Sequence, residues 1–175
     1  MKPQLPILAL ALLFPISSHA ADQAAQTRAQ YAAVEKTVPL ATVIKRELQG
    51  YSAEGGELTA YFQKGVPLKM VAIHFGERGR SIDELYFWNG RLFFVLQTTE
   101  RYQDGIGDGG GPDKLISRQQ DRFYFTNGEM WRWIKGKGEI PKNSVEFRIE
   151  EKSQLMLARE LLAGARGKAK IIEGR

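Results

Sequence analysis

Between Glu57 and Lys135 apolar and polar residues alternate in short runs, and three of those runs end on the same five-residue form. Tyr61-Phe62-Gln63-Lys64-Gly65, Tyr86-Phe87-Trp88-Asn89-Gly90 and Tyr124-Phe125-Thr126-Asn127-Gly128 share Tyr-Phe-x-(Asn/Lys)-Gly. Apolar residues follow each copy: Leu68 and Met70, Leu92 and Phe94, Met130 and Trp131. Asn-Gly between aromatic runs signals a tight hairpin, because both central residues of a type I′ turn take positive φ, which Asn and Gly tolerate best. The pattern predicts Trp88 facing Arg91 across one turn and Thr126 facing Glu129 across another. In the first copy Lys64 replaces Asn, and Val66-Pro67 predicts an inserted residue or bulge. Six strands thus fill residues 57–135, preceded by a strand at Thr42–Gly50 that turns at Ser52–Gly56.

Helical patterns flank this region. Gln23–Lys36 is Ala-rich, with good helix propensity but a weak apolar face. Near the other end, Asn143 with Glu146 reads as a capping box, Leu155, Ala158, Leu161 and Leu162 recur at helical spacing, and Gly164 marks a stop. Val145, Phe147 and Ile149 alternate with charges as a strand would, yet the longer pattern predicts a helix over 144–163. Consecutive hairpins without crossover helices imply an antiparallel sheet. The expected fold is α+β, mainly β: an antiparallel meander of about six to eight strands with N- and C-terminal helices.

Strand parity points to the first candidate site. Strict alternation places Leu85, Phe87, Leu92 and Phe94 on one face, with Phe123, Phe125, Met130 and Ile134 in matching places. The other face then carries Tyr61, Tyr86, Trp88, Phe93, Tyr124, Trp131 and Trp133. A half-exposed sheet shows polar residues on one side, so something covers this second face. Either the two terminal helices cover one face while the sheet's curl closes the other, or the rings form an aromatic floor for a ligand. In the second case Tyr86, Trp88, Phe93, Tyr124, Trp131 and Trp133 are the candidate ligand-binding residues, with Arg91 and Arg132 nearby.

The first twenty residues change the picture of where the protein works. Lys2, an apolar run from Leu5 to Ile16 and the small residues of Ser18-His19-Ala20 read as a secretory signal peptide cut at Ala20/Ala21. The run is shorter than the ~20 residues of a spanning helix. Residues 21–165 then form a single β-rich domain and 166–175 a basic, disordered tail. Cysteine is absent, which removes disulfides, thiol chemistry and cysteine-type zinc sites and fits a periplasmic location. From Lys135 to Arg175 ten basic residues oppose six acidic ones, whereas residues 21–134 are balanced. The excess predicts at most a weak contact of the C-terminal tail with an anionic surface such as lipid or lipopolysaccharide, or with an acidic partner. Nucleic acid is not an expected partner for an exported chain with a neutral centre.

The remaining chemistry is sparse. The Gly-rich stretch 104–113 offers Asp104, Asp108 and Asp113, but matches neither an EF-hand, a glycine-rich calcium repeat nor a phosphate loop. It reads as an inserted loop and a candidate interaction site. Glu54, Glu57, Glu77, Asp83 and Glu84 lie near turns and would be needed for a carboxylate-dependent hydrolase. His74, the one histidine outside the signal peptide, reads as an alternating polar strand residue. No metal or cofactor site is predicted.

Gly56-Glu57-Leu58-Thr59-Ala60-Tyr61-Phe62, Phe75-Gly76-Glu77-Arg78-Gly79 and Glu84-Leu85-Tyr86-Phe87 through Phe94 resemble exported bacterial proteins of uncharacterised role that repeat such hairpins. The resemblance spans about residues 48–135, implies a small β-sheet protein and carries over no catalytic residue. The expected function is therefore a non-enzymatic periplasmic binding or interaction protein. An inhibitor or accessory factor docking an envelope enzyme or assembly through 104–113 is the alternative, with a hydrolase behind it.

Overall fold

Lys64 and Gly65, Asn89 and Gly90, and Asn127 and Gly128 all have positive φ, between 50° and 85°, as a type I′ turn requires. Three hairpins therefore form where the repeat predicts them, the Lys64 copy included. A computed structural model describes residues 18–103, 114–167, 169 and 171–174. Most of the signal segment and Asp104, Asp108 and Asp113 of the predicted interaction loop lie outside the described residues.

The strands are β1 (Thr42–Gln49), β2 (Gly56–Gln63), β3 (Val66–Gly76), β4 (Gly79–Trp88), β5 (Arg91–Tyr102), β6 (Leu115–Thr126), β7 (Glu129–Lys135), β8 (Gly138–Glu139) and β9 (Ile171–Glu173). They form one sheet in the order β8-β7-β6-β5-β4-β3-β2-β1-β9. Every pairing is antiparallel except that of β9 with β1. Helix α1 (Ser18–Thr37) precedes the sheet, and α2 (Val145–Arg166) lies between β8 and β9.

Register slips by one residue at the same place in all three hairpins. Phe62, Phe87 and Phe125 face Pro67, Leu92 and Met130, whereas Tyr61, Tyr86 and Tyr124 face Lys69, Phe94 and Arg132. Leu68, Phe93 and Trp131 are thus the extra residues of three equivalent bulges, a device expected only in the first copy. Each bulge reverses the side-chain parity of its strand beyond it. Phe94 accordingly joins the face of Tyr86, Ile134 pairs with Arg122 on that face, and Trp133 moves to the face of Phe123. The sequence-based assignment of these three residues is corrected on that ground.

Both faces are apolar toward the turn end, and each takes a helix. Val34 and Tyr31 of α1 pack on Tyr86, Phe93 and Phe94. Phe147, Ala158, Leu161 and Ala165 of α2 pack on the opposite face with Leu58, Leu85, Phe123 and Trp133. The expectation of two helices on one face is therefore replaced by one helix per face. Val145 and Ile149, whose strand-like alternation competed with the helix, stay exposed while Phe147 between them is buried.

The C-terminal segment differs from expectation at three points. Ser144, not Asn143, caps α2, its Oγ accepting from the Phe147 N–H at 3.1 Å; Glu146 instead binds Lys135 at 2.7 Å. The helix runs through Gly164 to Arg166, because that glycine is where Ile172 of β9 lies against the helix: a Cβ there would overlap the Ile172 side chain. The tail expected to be disordered contributes β9, paired with Glu47, Leu48 and Gln49, and the Gly174 N–H bonds the Gln49 carbonyl at 2.7 Å. Gly164→Val is expected to unseat Ile172 and cost about 1–3 kcal/mol as an overpacked contact. Amide exchange at Gly174 should accelerate at least in proportion, and an unchanged rate would contradict this role for the glycine.

Candidate functional site

The aromatic residues singled out in the sequence do not form one floor. Tyr86, Phe93, Tyr124 and Trp131 share the face under α1. Trp88, 39% exposed, sits at a turn and lines a second cleft with Gln23, Gln26 and Gln30 of α1. Trp133 is on the far face, stacked on Phe123 at 5.5 Å.

Under α1 the rings form a connected chain. Tyr31 of the helix lies 4.8 Å from Tyr86 and 6.0 Å from Phe94. Phe94 is 5.2 Å from Tyr124, and Tyr124 is 5.4 Å from Trp131. Such centroid spacings and tilts are those favoured by aromatic quadrupoles. Beside this chain a pocket of about 300 Å³ opens, lined by Thr27, Arg28, Tyr31, Phe94, Leu96, Gln120, Arg122 and Tyr124. Its wall is apolar and aromatic, and its charged groups are two guanidiniums. Arg122 donates to Gln120 at 3.2 Å; among the described residues neither arginine pairs with a carboxylate.

The roof of the pocket is fixed by an ionic cluster that the sequence did not announce. Lys69 reaches Glu35 of α1 at 2.8 Å and Glu84 of β4 at 2.7 Å. The Tyr86 hydroxyl lies 2.7 Å from Glu35 and 3.0 Å from Glu84, and the Lys69 ammonium stands 4.8 Å over the Tyr86 ring. Burial, then the bond to Glu35, pushes the Tyr86 hydroxyl far above the ordinary phenol range. Burial alone would raise the Glu35 carboxyl, but hydrogen bonds from Lys69 and Tyr86 hold it below its usual range. Burial alone would likewise lower the Lys69 ammonium, and its bonds to Glu35 and Glu84 hold it above. All three stay in the forms that bind one another at neutral pH.

The hydrolase candidates are engaged elsewhere. Asp83 is buried on the α2 face, 3.1 Å from His74 and 2.8 Å from the Gln97 amide. His74 thus has a specific partner beyond its strand parity. That pair lines an open cleft of about 780 Å³ near the Gly76–Gly79 turn, together with Tyr51, Ser81 and Leu157. Glu84 belongs to the Lys69 cluster. Among the described residues no group of three or more His, Cys, Asp or Glu side chains is arranged to hold a metal ion.

Sequence reasoning found Tyr124 but missed Arg28, Tyr31, Phe94, Leu96 and Arg122. Thr27, Tyr31 and Val34 recur at helical spacing, a faint stripe on an otherwise polar helix, and the bulge hid Phe94 on the wrong face. The chain matches no family model, no curated protein and no solved structure.

Proposed function

We propose that the protein is an exported, periplasmic ligand-binding protein without catalytic activity, and that its ligand is an anionic amphiphile held beneath α1. One observation carries the reading: an aromatic pocket whose charged lining is Arg28 and Arg122, with no carboxylate set against them among the described residues. Small-molecule sites combine an apolar wall with a few polar groups that fix orientation, and a pocket of this volume is at the small end of their range. Tyr31, Phe94 and Leu96 supply the wall for a short acyl or aryl body. Arg28 and Arg122 supply charge-assisted hydrogen bonds to a carboxylate or similar head.

Titration calorimetry with octanoate and with octylamine tests this directly. Octanoate is expected to bind and octylamine not to. Arg28→Glu combined with Arg122→Glu is expected to weaken octanoate by about a hundredfold or more, since each lost charge-assisted bond is worth about 1.5–3 kcal/mol. Equal binding of the two probes, or undiminished binding of octanoate to the double variant, would refute the reading, as would failure of octanoate to bind.

A further inference from the structure

The charges of α2 are sorted by side. Glu146 binds Lys135, Glu150 accepts from the buried Gln154, Glu151 accepts from the Met130 N–H at 2.7 Å, and Glu160 accepts from the Tyr51 hydroxyl. All four carboxylates of the helix are therefore turned to groups of the protein itself. The basic residues are paired differently: Arg148 donates to the Asn143 carbonyl at 3.2 Å, a bond that leaves its charge uncompensated. Arg148, Lys152, Arg159 and Arg166 are exposed, and among the described residues none pairs with a carboxylate. Their separations of four, seven and seven residues keep them on one side of a helix with 3.6 residues per turn, a row about 27 Å long.

Beside that row runs a second one. Val145, Ile149 and Met156 are 63%, 61% and 58% exposed, and the same angular repeat places them next to the basic side chains, away from Phe147, Ala158 and Leu161, which face the core; on their other side Val145 and Ile149 border a cleft with Glu146 and Glu150. Cations without carboxylate partners lining exposed aliphatic groups along a helix that lies flat on a sheet are what an anionic lipid surface recognises: the cations meet headgroups and the aliphatic groups reach the acyl boundary. A soluble acidic partner would account for the cations but leave the aliphatic row unexplained.

We propose that the outward face of α2 docks on a bilayer carrying anionic phospholipid. The contact belongs to a folded helix rather than to the terminal tail, and it lies on the opposite side of the sheet from the pocket under α1, so it stands whether or not that pocket binds a ligand.

Co-sedimentation of the purified protein with vesicles tests it, comparing phosphatidylcholine alone with phosphatidylcholine containing about 30% phosphatidylglycerol, a fraction that gives a clear negative surface potential. Binding is expected only to the anionic vesicles, falling steeply as salt is raised. Each of Arg148→Glu, Lys152→Glu and Arg159→Glu should reduce partitioning roughly fivefold or more, and the three together should bring it to background. Ile149→Ser with Met156→Ser should weaken it while leaving the preference for anionic vesicles. Lys168→Gln with Lys170→Gln, in the tail, should leave most of the binding. These α2 positions are exposed, and circular dichroism verifies that the variants keep the fold. Equal binding to neutral vesicles, indifference to the triple reversal, or loss through the tail variant alone would overturn the proposal. So would binding of soluble polyglutamate in place of vesicles, which would point to an acidic polypeptide.

Discussion

Replacing Trp133 by alanine is expected to destabilise the domain by about 3–5 kcal/mol, lowering its thermal midpoint by about 6–20 °C at the usual sensitivity of a domain this size. The ring is 3% exposed, lies against Phe123 at 5.5 Å, and belongs to the cluster that receives Phe147 and Leu161 of α2. Its loss opens a cavity beneath α2, beside Phe123. Among the described residues the indole N–H has no hydrogen-bond partner, so Trp133→Phe keeps the stacking, removes that donor and should cost less than about 1.5 kcal/mol. Trp131→Ala makes the informative contrast. Trp131 is half-buried and borders Tyr124 on the other face, so its removal should cost less stability and act mainly on the pocket wall. Denaturant unfolding of the three variants measures all of this. A loss below about 1 kcal/mol for Trp133→Ala would mean the ring is not part of the core.

That contrast also marks where the sequence stopped being legible. Asn89-Gly90 and Asn127-Gly128 fix their turns through backbone chemistry confined to two residues, and such local signals can be read without the rest of the chain. The bulges at Leu68, Phe93 and Trp131 are different: they are decided by how two strands share a register, and a one-residue slip transfers every later side chain to the other face. Trp131 and Trp133 share a parity in the sequence and lie on opposite faces of the described strands' packing because of that slip at Tyr124/Phe125, with Trp131 kept on the Tyr124 side as the extra residue. The position of β9 was illegible for a related reason. Ile171, Ile172 and Glu173 form too short a run to stand out from a basic tail, and only the gap at Gly164 gives Ile172 its seat. The candidate pocket was half legible: its floor came from the aromatic strands, while its roof depended on a helix whose apolar stripe is three residues long.

Lys69→Met is expected to loosen that roof. The Tyr86 hydroxyl has one proton to donate and two carboxylates within reach, so the Lys69 ammonium is what neutralises Glu35 and Glu84 together. Without it two like charges share a partly buried site, and their repulsion drives α1 away. The side chains of Lys69, Glu84 and Glu35 are 12%, 25% and 36% exposed, which places the cost at about 1–3 kcal/mol, between an exposed pair and a fully buried one. Because α1 carries both Tyr31 and Arg28, its release should remove octanoate binding as well, while docking through α2 on the opposite face persists. Acid should reproduce the effect in the unaltered protein. Glu35 has its carboxyl held below the ordinary range, so its contribution is present above the unfolded pKa of about 4.3 and is lost as pH falls through the folded value. Lys69 is held above its ordinary range, so its contribution is present below about 10.4 and is lost only as pH rises through its folded value. The attachment of α1 is therefore strongest between those limits. Hydrogen exchange at Tyr31 and Val34 measures it: protection there should fall below about pH 4, and in Lys69→Met already at neutral pH, ahead of the amides of Leu85 and Val95 in the sheet. If the helix and the sheet lost protection together, α1 would be an inseparable part of the core rather than a roof held by one ionic cluster.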